Sequence, residues 1–425
     1  MPIILEINSS QFIKPLKSYL ESINAIHKHK KIIKLDDTRF HIFTTLTSIE
    51  GVPSDLHATI SSIVEYEDEN NEEDQNSNKL AIVIQEYLTQ ILSISDSELK
   101  ILIENIPKKW SVYPPMILFN YNSFDNTIWH DIDFNNLFEY IISKNVFPDI
   151  THFAINQPII KTNNEMRKPI NLIPLYGDFG SEVHETMNPT EDDFKQSFWC
   201  SVIQNGIYQT WCPKYTMFSR GNIKEKARIL QTYKSLHRSV VFDLYCGIGY
   251  FSLSYLRNDA VVFCWDLNPW SIEGFRRALI KNKFPHKIFH PDDDFNYEIY
   301  QQCLSDGIRA FVFLESNEMS LTRLESFPSN SLDIKHVNLG LLPTSYQSWT
   351  ITKSITEKYN AVNNKKNTLI HIHENYHIKE LPNLIQFIKS EFSISDKDND
   401  DQILGINKIK SYAPDIWHVV VDIKI

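Results

Sequence analysis

Cysteine is scarce and poorly placed for cross-linking: the 425 residues hold five, at 200, 212, 246, 264 and 303, an odd number with no C-x-x-C spacing. That pattern excludes a disulfide framework and a paired-cysteine zinc site, and suits a reducing compartment. Long apolar runs are missing too; none approaches the roughly 20 residues of a membrane span. The opening segment, Met1 to Ile7, has neither the basic leader nor the long apolar stretch of a secretory signal. The expected location is therefore cytoplasmic, with no membrane partner. Positive charge is not in excess. A formal net charge of −11 argues against a general nucleic-acid binder. What is present, 42% hydrophobic and 12% aromatic residues, is the composition of a globular protein long enough for two domains.

The acids are unevenly placed. Many sit between Glu65 and Asp74, which with the polar residues as far as Asn78 reads as a solvated, disordered insert at about 65–78. A second such stretch covers 395–401. Basic residues gather elsewhere: Lys28, Lys30, Lys31 and Lys34; Lys108 and Lys109; Lys214, Arg220, Lys224, Lys226 and Arg228; Arg276, Arg277, Lys281 and Lys283. Any one cluster reads as an ordinary solvated face. Several together around the segment described next make a specific RNA path credible.

That segment is 240–266. An apolar run ends in Asp243; Tyr245, Gly247 and Gly249 follow in a turn; a helical stretch leads to a second apolar run that ends in Asp266. Strand, glycine turn, helix, strand is the unit that binds an adenine nucleoside, its glycines admitting close backbone approach and the second acid suiting a ribose diol. A dinucleotide fingerprint wants a third glycine where Ser252 stands. Asp243 would repel a pyrophosphate but attract the ammonium of a methionine moiety. The reading is S-adenosylmethionine (SAM) rather than NAD.

From Ser219 onward, strands and helices alternate: strands at 240–245, 260–265, 288–290, 310–315, 336–340, 369–373 and 418–423, helices at 250–257, 270–282 and 349–360. This predicts an α/β doubly wound sheet with ligands at the carboxyl ends of its strands. Upstream, residues 1–64 mix helix and strand signals, among them a helix capped by Ser9 and Ser10 and running to Ile26. Leu80 to Ile103 reads as one helix. Residues 100–213 read as an α+β module, leaving 1–99 as a separate N-terminal region and 214–425 as the catalytic domain. No internal repeat is visible.

Two constellations compete for attention. Alternation puts His371 and His373 on one face of a strand, with His377 beyond, but no cysteine or second carboxylate completes a metal ligand set; the expectation is a polar strand end and no metal. Ser345 lacks a nucleophile elbow. Asn338 follows a strand where SAM enzymes place substrate-facing residues, and it continues Leu-Gly-Leu-Leu-Pro343 instead of the Pro-Pro-aromatic that marks methylation of base amino groups.

Six segments, Pro174–Gly180, Tyr215–Arg228, Asp243–Phe251, Leu267–Gly274, His336–Pro343 and Lys410–Pro414, resemble in order those of the wybutosine-synthesis tRNA aminocarboxypropyltransferases, over about residues 100–425. The resemblance implies a Rossmann-like sheet of the SAM-dependent methyltransferase type, preceded by a smaller α+β region. It implies transfer of the 3-amino-3-carboxypropyl group of SAM to carbon 7 of 4-demethylwyosine, beside the anticodon of phenylalanine tRNA, with release of methylthioadenosine. The middle module would then grip tRNA. Ser219 and Lys226 fall on the family's cofactor positions, Asp266 on its ribose acid, and Asp293 and Asp294 on the pair flanking adenine; Asp292 stands where the family usually has glycine. Asn338 would neighbour the reacting base. The related tRNA guanosine N1-methyltransferases share the fold and offer an alternative activity. A non-catalytic RNA-binding protein is a third, against which the intact Asp243, Gly247, Gly249 and Asp266 count.

Overall fold

The computed structural model of the chain describes residues 3–23, 25–27, 32–36, 38–50, 52–65, 72–90, 94–157, 172–329, 331–360, 368–394 and 402–425. It divides into two compact units, Met1–Ile82 and Val83–Ile425. Among the described residues, no helix is long and apolar enough to cross a membrane.

In the first unit, strands Ile33–Lys34, Phe40–Phe43, Ile3–Ile7 and Ile60–Glu65 form a sheet in that order. Helix Ile13–Ser22 buries Leu16 and Leu20 against Ile3, Leu5 and Ile7. It stops four residues short of the expected Ile26.

The predicted acidic insert is only partly described. Glu65 closes a strand, 66–71 lie outside the described residues, and Glu72 opens helix Glu72–Gln90. That helix therefore starts eight residues earlier than apolar periodicity suggests, because periodicity cannot register a polar first turn. The expected single helix 80–103 is two. Ser95 caps a second helix, Asp96–Glu104, in a capping box with Glu98, a start signal set inside a continuous periodic pattern. The second acidic stretch, 395–401, and Lys28, Lys30 and Lys31 lie outside the described residues.

The second unit holds a four-stranded sheet of Trp110–Tyr113, Met116–Phe119, His152–Ile155 and Ile173–Tyr176, and a hairpin of Cys200–Gln204 and Ile207–Trp211. Its centre is an eight-stranded sheet: β1 Val240–Asp243, β2 Val261–Asp266, β3 His286–Phe289, β4 Ala310–Leu314, β5 Ile334–Leu339, β6 Leu369–His377, β7 Ile403–Ala413 and β8 Ile416–Lys424. The order is β3-β4-β2-β1-β5-β6-β8-β7; β3 to β6 run parallel with β1 and β2, and β8 is antiparallel to both β6 and β7. Helices α1 Ile223–Thr232, α2 Ser252–Arg257 and α3 Pro269–Lys281 cover one face, burying Ile229, Leu253, Tyr255, Phe275 and Leu279 over Val241, Val262 and Cys264. The opposite face carries stacked aromatics, Phe242, Phe263, Trp265 and Phe313, each fully buried. Burial of each such ring contributes about 1.5–3 kcal/mol. The apolar runs read as strands are thus covered on both faces, as parallel strands require.

Candidate active site

β1 delivers Asp243, fully buried, to the centre of the carboxyl edge. Ser252 Oγ donates to its Oδ2 at 2.6 Å, and Asn338 Nδ2, from the neighbouring β5, donates to Oδ1 at 3.3 Å. Burial raises this carboxyl to about 6, against the pull of those hydrogen bonds. The turn beyond it needs its glycines. Gly247 and Gly249 have φ of 54° and 82°, in the left-handed region, and a Cβ at 249 would overlap the Phe275 ring. Gly247 N–H donates to Asp266 Oδ2 at 2.9 Å, and Asn268 N–H donates to Oδ1 at 2.9 Å. The acid ending β2 is therefore fixed to the turn from β1; burial lifts its carboxyl to about 6 as well. Tyr245 stands between, packed at the edge of the aromatic core.

Ser219 and Lys226 flank the start of α1. The loop before them is tied to the turn, since Tyr250 Oη donates to the Met217 carbonyl. Ser219 Oγ accepts from Lys410 Nζ at 3.2 Å. Lys226 Nζ is buried, donating to Gln204 Oε1 at 2.9 Å and Gln209 Oε1 at 2.8 Å, with the faces of Phe218 and Tyr250 at 4.9 and 5.2 Å. Burial without an opposing carboxylate lowers its pKa to about 7. Its ammonium faces the hairpin amides, not Asp243 or Asp266.

The resemblance assigns Asp293 and Asp294 to the adenine. They lie exposed after β3, which is the edge strand of the sheet; β4 intervenes between it and β2. Asp293 Oδ2 accepts from His290 N–H at 2.7 Å and so shapes its own loop. The loop bordering the glycine turn is Glu315-Ser316-Asn317, after β4. Asn317 Nδ2 donates to the Leu244 carbonyl at 2.8 Å. Glu315 is buried and bidentate with Arg323, at 2.6 and 2.9 Å, and Arg323 also holds the carbonyls of His290, Pro291 and Asp293. The signal was present: Glu315 ends a five-residue buried apolar run, the same pattern that marks Asp243 and Asp266.

Asn338 has its Oδ1 buried with no partner among the described residues, an acceptor left open beside Asp243. Gly340 follows; a Cβ there would stand 3.3 Å from both the Phe251 ring and Asn338 Nδ2. The loop beyond is moored to β6. Glu374 accepts from Ser345 N–H and Thr344 Oγ1, each at 2.9 Å, and Asn375 N–H donates to the Pro343 carbonyl at 2.8 Å. Burial raises Glu374 to about 7. His371 and His373 do share a face. His371 bridges His336 at 2.9 Å and Asp422 at 2.6 Å, while His373 pairs with His418 at 3.0 Å. No group of His, Cys, Asp and Glu among the described residues could hold a metal ion.

Of the basic candidates, Lys108, Lys109 and Lys224 are exposed. Arg276 and Arg277 both bond Glu273, at 2.6 Å each, and Arg277 stacks over Trp199 at 4.0 Å. Their charge is therefore partly answered within the fold.

An acid at the end of two adjacent strands, a turn that admits close approach, and an open amide acceptor fit the amino-acid nucleoside SAM. Residues 202–309 match the model of the TRM5/TYW2 methyltransferase domain. The chain is 37% identical to tRNA wybutosine-synthesizing protein 2 of Schizosaccharomyces pombe, over 82% of this chain and 79% of that one. It is 32% identical to the protein of the same name from Saccharomyces cerevisiae, over 100% of this chain and 98% of that one. The chain belongs to the tRNA wybutosine-synthesizing protein 2 family. A solved structure of TYW2 from P. horikoshii in complex with MeSAdo has the same fold, with a TM-score of 0.52, 18% identity, and coverage of 81% of this chain and 98% of that one. Within the family, the expected Rossmann-like doubly wound sheet is the fold observed.

Proposed function

We propose that the chain transfers the 3-amino-3-carboxypropyl group of SAM to carbon 7 of 4-demethylwyosine, next to the anticodon of phenylalanine tRNA, and releases methylthioadenosine. The observation that carries this reading is the identity of 37% and 32% with two wybutosine-synthesizing proteins across most of each chain. It is supported by the complete set of Asp243, Gly247, Gly249 and Asp266 around one turn. The five cysteines, all free and buried, suit the cytoplasm.

SAM supplies a sulfonium with three activated carbons, and the one in line with the nucleophile is transferred. The acceptor carbon bonds to the methionine γ-carbon as the carbon–sulfur bond breaks. Both electrons of that bond pass to sulfur, and the ring then loses its proton to water. The protein's part is orientation. Asp243, locked by Ser252 and Asn338, offers a fixed negative charge to the ammonium; Asp266, held by two backbone N–H groups, suits the ribose; Glu315 to Asn317 border the adenine side. Asn338, whose buried Oδ1 has no partner among the described residues, is the residue we assign to the neighbourhood of the acceptor base.

The deciding experiment incubates the enzyme with phenylalanine tRNA from cells lacking this activity and with SAM labelled separately in its methyl and carboxyl groups. Carboxyl label in tRNA, with methylthioadenosine as co-product, is expected. Methyl label in tRNA with S-adenosylhomocysteine would make the enzyme a tRNA guanosine methyltransferase instead, and no label in tRNA would leave only an RNA-binding role.

A further inference from the structure

Lys410 is a part-buried cation at the carboxyl edge of the sheet that forms no ion pair with the described residues. It lies near the end of β7, which runs in the direction of β6, so its side chain leaves the sheet at the same edge as Asp243 and Asn338. Its stem crosses Gly221: a Cβ at 221 would overlap Lys410 Cδ and approach Nζ to 3.1 Å. The glycine thus makes room for this lysine. A cation drawn out of water without a counter-charge is costly, and burial here lowers its affinity for the proton.

Two routes connect it to the glycine turn. Its Nζ donates to Ser219 Oγ; two residues earlier, the Met217 carbonyl accepts from Tyr250, the residue after Gly249. On the other side, Lys410 stands opposite His418, which bonds His373, whose ring lies 4.9 Å from Phe251, the residue after Tyr250. Lysine and serine hydroxyl together form a small donor pair. The polynucleotide backbone has freely exposed lysines available at 108, 109 and 224, whereas a part-buried pair pressed against Gly221 suits a small anion.

We infer that Lys410, with Ser219, holds the α-carboxylate of the group being transferred, and that this contact is what turns the methionine chain toward the acceptor. Asp243 attracts the ammonium on the same carbon, so the two charges of the amino-acid end meet opposite charges in the protein. This assignment rests on the transfer proposed above, in which that carboxylate travels to the tRNA.

The test measures binding of SAM, of decarboxylated SAM and of methylthioadenosine by calorimetry to the wild-type chain, K410M and K410R. Wild type should prefer SAM over decarboxylated SAM by about 10- to 100-fold, the range for a charge-assisted contact. K410M should lose that preference while binding methylthioadenosine as before, and K410R should keep much of it. Methylthioadenosine binding also certifies that each variant is folded. Equal wild-type affinity for SAM and its decarboxylated form would overturn the inference without any variant. An undiminished preference in K410M, or a loss confined to tRNA binding, would overturn it too. If the labelling experiment instead delivers a methyl group, the transfer reading fails, and the ligand comparison still reports separately on what Lys410 holds.

Discussion

The two halves of the central sheet, on either side of β1, are built by different rules. Toward β2 and β4 the interior is an aromatic stack, with polar groups only where strands end, at Asp266 and Glu315. Toward β5, β6 and β8 a polar row crosses the buried sheet in register, from Asp243 to Asn338, His371 and Asp422. The first half is written in short local motifs and presents acids to a ligand. The second is assembled from residues far apart in sequence and buries an amide, histidines and Asp422 in one hydrogen-bonded row.

The largest break in this comparison should come from Arg228→Met. Arg228 pairs with Glu225 at 2.6 Å and with Asp422 at 2.6 Å, and both carboxylates are buried. Burial alone raises the Asp422 carboxyl, but the bond from His371 and the charge of Arg228 outweigh it and hold it below its usual range. Leaving Glu225 buried without its cation, and Asp422 with only His371 and Asn407, should cost about 3–5 kcal/mol in denaturant unfolding. A loss under 1 kcal/mol would show that the polar row tolerates the gap.

Gly249→Ala tests the other half, where a left-handed backbone meets the Phe275 ring. The expected loss is about 2–3 kcal/mol, together with weaker SAM binding. Retained stability would mean that the turn relaxes.

A smaller effect separates the two halves by pH. Asp243 and Asp266 both have folded pKa values raised to about 6 by burial. SAM affinity, which needs both carboxylates, should be nearly flat from pH 8 to 7 and then fall about a hundredfold per pH unit below 6, about tenfold or 1.4 kcal/mol per unit for each group. Stability moves oppositely: the folded form takes protons before the unfolded chain does, so these two groups favour the fold as pH drops from 6 toward 4. Calorimetric titration that stays flat to pH 5 would remove them from ligand binding. In Asp266→Asn the fall should become shallower.

The smallest effect belongs to the surface. Neutralising Lys108 and Lys109 should weaken tRNA binding by less than about 1 kcal/mol per residue and lower the salt slope by about one per contact, with SAM affinity unchanged. An unaltered slope would move the RNA path elsewhere.

The legible parts of the molecule follow this division. Strand, turn, helix and strand at 240–266 could be read because every residue of the unit is adjacent in sequence, and the strand-ending acids stand out against apolar runs. Strand order was less legible: both 286–289 and 310–314 are strands, and nothing local says which lies beside β2. Burial decides it, since Ala310–Leu314 is apolar throughout and takes the inner position, whereas His286 and Lys287 keep β3 at the edge. Lys226 was legible only as one of a basic cluster and, through the resemblance, as a cofactor position; its burial and its partners, Gln204 and Gln209, come from a hairpin that the chain folds back from an earlier segment. Glu374 passed unnoticed in a run of histidines, because its role depends on the loop it anchors.

The bond from Lys410 to Ser219 spans 191 residues, and that from Arg228 to Asp422 spans 194. Contacts of such separation carry the largest loop-closure entropy and so form only after the intervening strands have found their neighbours. The order expected on that ground runs from sheet to site, the glycine turn folding with its own strand pair and the loop carrying Ser219 closing last. A nascent or refolding chain acquires its secondary structure before it acquires a place for SAM, which leaves an interval in which the protein is folded in outline and empty of function.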